Sequence, residues 1–77
     1  MPEQAKILEA IAENLGLSAG DLDRHALLVD DLNLSAIELS DLLQNLSEKF
    51  EVHLNPEEVE GVRTVDDLIV LVEDSML

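Results

Sequence analysis

Between Ser35 and Phe50 the chain carries Leu39, Leu42, Leu43, Leu46 and Phe50. The intervals i, i+3, i+4, i+7 and i+11 bring these side chains onto one face of a 3.6-residue helix, a period that no strand satisfies. Glu38, Asp41, Asn45 and Glu48 fall on the opposite face, and Ile37 lies off the apolar stripe, close to the acids. Ser35-Ala36-Ile37-Glu38 has the form of a capping box, in which the Ser35 hydroxyl accepts from the Glu38 amide and the Glu38 carboxylate accepts from the Ser35 amide. The spacing predicts a helix from Ser35 to about Phe50 whose apolar face must be covered by other elements.

Those elements can be read on either side. Ile7, Leu8, Ile11 and Leu15, with Ala12 beside them, form one stripe of a first helix over Pro2 to Leu15. Pro2 suits its first turn, Glu3 suits the positive end of its dipole, and Gly16 suits its stop. Glu9, Glu13 and Asn14 face water. From Leu17 to Leu34 runs a long connection whose apolar residues, Leu17, Leu22, Leu27, Leu28, Val29 and Leu32, keep neither helical nor strand period. Its length marks it as a loop packed on its own side chains, with a turn of helix near Asp21 to Arg24. After Glu51 to Leu54, Asn55 is placed to cap a short helix begun by Pro56 and ended by Gly61. Thr64-Val65-Asp66-Asp67 opens a last helix to about Asp74, with Leu68, Ile69, Val72 and Met76 inward. The expectation is a single all-α domain over residues 1–77. It is a small antiparallel four-helix bundle, three helices longer and one short, with a long first loop.

Composition narrows the function. The 77 residues hold 4 Lys+Arg against 18 Asp+Glu, a net charge of −14. Such a field repels nucleic acid and anionic membranes, and it steers basic partners inward in a salt-dependent way. Cysteine is absent, so disulfides and thiolate chemistry are absent with it. No apolar run reaches the roughly 20 residues needed to span a bilayer. The polar, acidic start does not read as a signal peptide, and a cytoplasmic monomer is expected. A calcium loop begun at Asp31 fails, because Ala36 would stand where glycine is needed and Leu42 where a bidentate glutamate is needed. His25 and His53 sit in no ligand-spaced cluster, so no metal site is expected. With no nucleophile-base motif and no phosphate loop, no catalytic residue is assigned and the chain is not read as an enzyme.

Over essentially its whole length the chain resembles the acyl carrier proteins. That family's pattern at the loop-to-helix junction is an acid, Leu-Gly, an apolar or small residue, Asp-Ser-Leu, an acid, two residues, then Glu-Leu. Laid on it without gaps, Asp31-Leu32 matches the acid and Leu, Asn33 takes the Gly position, and Ser35 the Asp position. Ala36 takes the Ser position, Ile37 the Leu position, Glu38 the following acid, and Asp41-Leu42 the Glu-Leu. Phe50 falls where the family commonly has Phe, and Arg63-Thr64-Val65-Asp66-Asp67-Leu68 resembles the start of its last helix. The resemblance implies a 4'-phosphopantetheine arm at position 36 and the carriage of acyl groups, as in lipid metabolism and fatty acid biosynthesis, with polyketide, peptide and lipid-modification pathways equally open. It also implies service by a phosphopantetheinyl transferase and by acyl-transferring or synthase enzymes with basic patches. Partners would meet Ile37, Glu38, Asp41 and Glu48, although those acids can equally be a solvated helix face.

Ala36 departs from the pattern at the attachment position itself, since a methyl group forms no phosphodiester. Three accounts are open. A serine at this position has been replaced by alanine, giving a non-modifiable form. Or the chain is a carrier-like interaction module that naturally lacks the arm. Or Ser35 bears the arm with the register slipped by one, which misaligns Glu38, Asp41 and Phe50.

Overall fold

The computed structural model describes residues 2–54 and 56–76. Four helices follow one another: α1 (Pro2–Leu15), α2 (Ala36–Phe50), α3 (Pro56–Val59) and α4 (Val65–Ser75). A single 3-10 turn, Ala19–Asp21, lies in the long connection between α1 and α2. The expected three longer helices and one short helix are therefore present, and no strand is formed among the described residues. The cap assigned to Asn55 lies outside those residues.

Ile7, Ala10, Ile11 and Ala12 of α1, Leu42 and Leu46 of α2, and Val65, Leu68, Ile69 and Val72 of α4 make the centre of the molecule. Leu22, Leu28 and Leu34 of the connection complete it. These side chains are all aliphatic, and their burial supplies the main favourable term for the fold. Several residues placed inward from the pattern are not fully buried, Leu8 and Leu15 of α1 among them. Phe50 is only half-buried at the end of its stripe, and Met76 is exposed one residue past α4. Leu39 and Leu43 are likewise half-buried, which leaves them for a groove described below.

The ends of α1, α2 and α4 are closed by local chemistry. Gly16 takes φ +75°, and the Leu17 amide donates to the Ala12 carbonyl at 2.8 Å, the bond that closes a helix through a left-handed residue. Ser35 caps α2 and Thr64 caps α4, each in a complete capping box with Glu38 and Asp67 respectively. The two Asp67 bonds to the Arg63 and Thr64 amides, each 3.2 Å, hold its exposed carboxyl below the usual carboxylate range.

The connection between α1 and α2 is a loop packed on its own side chains, as its length and composition imply. Its helical turn lies at Ala19–Asp21, not at Asp21 to Arg24: Leu22 ends the turn in an extended conformation and is buried. Beyond it, the loop is tied to the start of α4. The Leu28 amide donates to the Arg63 carbonyl at 2.8 Å, the Val65 amide to Ala26 at 3.0 Å, and the Asp66 amide to Arg24 at 2.8 Å. Leu27 and Thr64 form an isolated antiparallel bridge. Arg24 Nε donates to Asp66 at 3.0 Å, its Nη2 donates to Gln4 at 3.0 Å, and Gln4 donates to Glu73 at 3.0 Å. Loop, α1 and α4 thus share one polar chain. The last loop segment folds back on itself, with the Leu27 amide donating to the Asp31 carboxylate at 2.8 Å and the Leu34 amide to Leu28 at 3.2 Å. Residue 36 is delivered from this anchored base.

Candidate functional site

The junction is built around Ser35. Its backbone is extended (φ −76°, ψ 167°), its Oγ accepts from the Glu38 amide at 3.2 Å, and its own amide donates to Glu38 Oε1 at 3.1 Å. The capping box read from the sequence is therefore formed in both directions. Ala36 is the first helical residue, is exposed, and is one of the residues lining a groove. Amides of the first turn have no intrahelical acceptors, so this end of α2 carries the positive pole of the helix.

The predicted partner residues share a surface. Ile37 is 76% exposed, the most exposed large apolar side chain among the described residues. Glu38, Asp41 and Glu48 are exposed as well. Ile37, Asp41, Gln44 and Glu48 stand at i, i+4, i+7 and i+11, so they form one row along α2. Lys49 is the one basic residue of α2, and its ammonium lies 3.7 Å from Glu13 on α1. The row is therefore negative and apolar without a cation of its own.

On each side of this row is a depression. One is a groove of about 790 Å3 lined by Ala36, Leu39, Leu43, Leu54, Val59 and Val62, with Ser40, Ser47, Glu48, His53 and Glu60 among its polar walls. The other, about 610 Å3, lies between α1, the loop and α2, and gathers Asp31, Glu38 and Asp41. The acids thus divide: Glu38 and Asp41 stand beside the loop, Glu48 beside the apolar groove. Sequence reading did not identify the groove. Leu39 and Leu43 were legible only as members of a core stripe, and Leu54, Val59 and Val62 come from short segments without periodicity. His25 and His53 are exposed loop residues, and His53 also borders the groove. Among the described residues no group of three or more His, Asp or Glu could hold a metal ion, and no helix is long and apolar enough to cross a membrane.

The family model described as phosphopantetheine attachment site matches residues 5–72. The chain is similar to the acyl carrier protein of Chlamydia caviae, 32% identical over 63 residues that cover 82% of each chain. It is similar to that of Syntrophobacter fumaroxidans, 35% identical over 65 residues, 84% of this chain and 80% of the relative. A third likeness is to the acyl carrier protein of Solidesulfovibrio magneticus, 31% identical over 68 residues, 88% of this chain and 87% of the relative.

The residues at the junction do not fit a covalently attached arm. Ala36 offers no oxygen, the adjacent Ser35 hydroxyl oxygen accepts in the cap, and Ser40, one turn on, lines the same groove. The chain belongs to the acyl carrier protein family, whose members carry 4'-phosphopantetheine and are carriers, not catalysts.

Proposed function

We propose that residues 1–77 form a single cytoplasmic, monomeric carrier domain whose attachment position is residue 36, here in a non-modifiable form in which alanine has replaced serine. The observation that carries this reading is the position of Ala36. It is exposed, it is the first residue of α2, and it lines the apolar groove between α2 and the segment around α3. A group joined there would sit against free amides and the positive pole of the helix, and an alkyl chain on it would reach Leu39, Leu43, Leu54, Val59 and Val62. Ile37 supplies an apolar anchor and Glu38, Asp41 and Glu48 supply charge for transferase and synthase enzymes with basic surfaces. The capping box supports a structural role for Ser35 and not an attachment role.

A natural interaction module without an arm is the second reading, and one observation favours it. Replacement of one serine accounts for residue 36 alone, yet Asn33 and Ser35 also stand where the family's pattern has Gly and Asp. The test is mass spectrometry after incubation with coenzyme A and a broad-specificity phosphopantetheinyl transferase. Ala36→Ser should gain the mass of one arm and the unaltered chain none. No gain in Ala36→Ser would defeat the attachment reading, and a gain in the unaltered chain that Ser35→Ala removes would move attachment to Ser35.

A further inference from the structure

The surface that surrounds residue 36 does not depend on residue 36. Ser35 and Glu38 close the capping box with each other, and Ala36 contributes only a methyl to the groove's lining. Alanine is the residue most favourable to a helix, so the first turn loses nothing by having it there. Ile37, Asp41 and Glu48 remain exposed in one row, with Glu38 and Asp31 beside them and the lone cation of α2 beside Glu13. The row is complementary to a basic enzyme surface that has an apolar recess at one end.

On the carrier reading, the enzyme that must grip this surface while probing residue 36 is the transferase that moves the arm from coenzyme A. We propose that this chain is a non-accepting competitor for that enzyme: it docks through the Ile37–Asp41–Glu48 row, meets the reactive phosphate with a methyl group, and leaves unchanged. In an accepting carrier the hydroxyl oxygen attacks phosphorus, its proton passes to a base, and the adenosine bisphosphate portion departs. With carbon and hydrogen in place of that oxygen, no phosphorus–oxygen bond forms and nothing departs. The complex can only dissociate. Present beside hydroxyl-bearing carriers, the chain lowers the rate at which they receive arms, the more so the higher its concentration relative to theirs. This rests on the carrier reading and adds a regulatory consequence to it.

The experiment measures transfer from a fluorescent coenzyme A to Ala36→Ser as acceptor, with increasing amounts of the unaltered chain. A surface change of one oxygen alters affinity little, so the inhibition constant should fall within about threefold of the acceptor KM. Inhibition should raise the apparent KM and leave kcat unchanged. It should weaken as salt is added. The double variant Ile37→Ser/Asp41→Asn of the competitor should inhibit at least about tenfold less, because a central apolar anchor is lost. Both positions are exposed, and an unaltered thermal midpoint for the variant shows that folding is not the cause. Absence of inhibition, or equal inhibition by the variant, overturns the proposal while leaving the carrier reading intact. Failure of Ala36→Ser to accept the fluorescent arm removes the carrier reading, and the proposal falls with it.

Discussion

Glu51 ends α2 at φ 55° and ψ 45°, in the left-handed region. There a Cβ crowds the following carbonyl at a cost of roughly 1–2 kcal/mol, part of which glycine would give back as chain entropy. Its amide and that of Val52 both donate to the Ser47 carbonyl, so the conformation is needed to close the helix. Glu51→Gly should therefore raise stability by about 1 kcal/mol, which for a domain this small is a rise of roughly 4–8 °C in the thermal midpoint. A calorimetric scan that showed no rise would place the constraint elsewhere. Asn33 has the same φ, 55°, and asparagine is among the few side chains that tolerate it. That gives a physical reason why asparagine can stand at the position laid on the glycine of the pattern this junction resembles. At this scale the caps were legible, because Ser-x-x-Glu and Thr-x-x-Asp declare themselves through their own side chains. The left-handed residue at Glu51 was not, since nothing about a glutamate calls for it and the turn alone imposes it.

The helices were legible where a stripe and a cap agreed, as in α1, α2 and α4. The connection before α2 was legible only as packed. Its partners are distant in sequence: Arg24 finds Asp66, and Leu28 finds Arg63, and no local pattern announces such pairings. For the same reason the 3-10 turn was misplaced by a few residues and the Leu27–Thr64 bridge was not foreseen. The start of α4, which receives this loop, is also where a titration can be read. Asp67 is held below the usual carboxylate range by the Thr64 and Arg63 amides. A depressed carboxyl contributes stability that is complete above its unfolded value, near pH 4, and is lost as pH falls through the lower folded value. Thermal midpoints of the chain and of Asp67→Asn should thus differ most near neutrality and converge as the solution is acidified below about pH 4. The difference is small, since Asp67 is exposed and solvent screens it. A gap that widened in acid would contradict the assigned cause.

The whole molecule measures 28 × 26 × 18 Å and carries a net charge of −14. At 0.01 M salt the screening length is about 30 Å, so carboxylates on opposite sides repel one another. Near 1 M it is about 3 Å, and that repulsion is gone. Sodium chloride over this range should raise the thermal midpoint, and a flat or falling midpoint would show that the charges are already balanced locally. Charge and aliphatic content were legible at this scale from composition alone. The groove was not, because it is a space between α2 and residues 53–62 and belongs to no single stretch. One consequence follows from the way the junction divides its duties. The capping box gives Ser35 and Glu38 the work of starting α2 and leaves residue 36 with none. The two capping bonds therefore form without the side chain of residue 36. On the reading proposed for residue 36, a single codon change there would exchange a methyl for a hydroxyl while the start of α2 keeps both of its capping bonds.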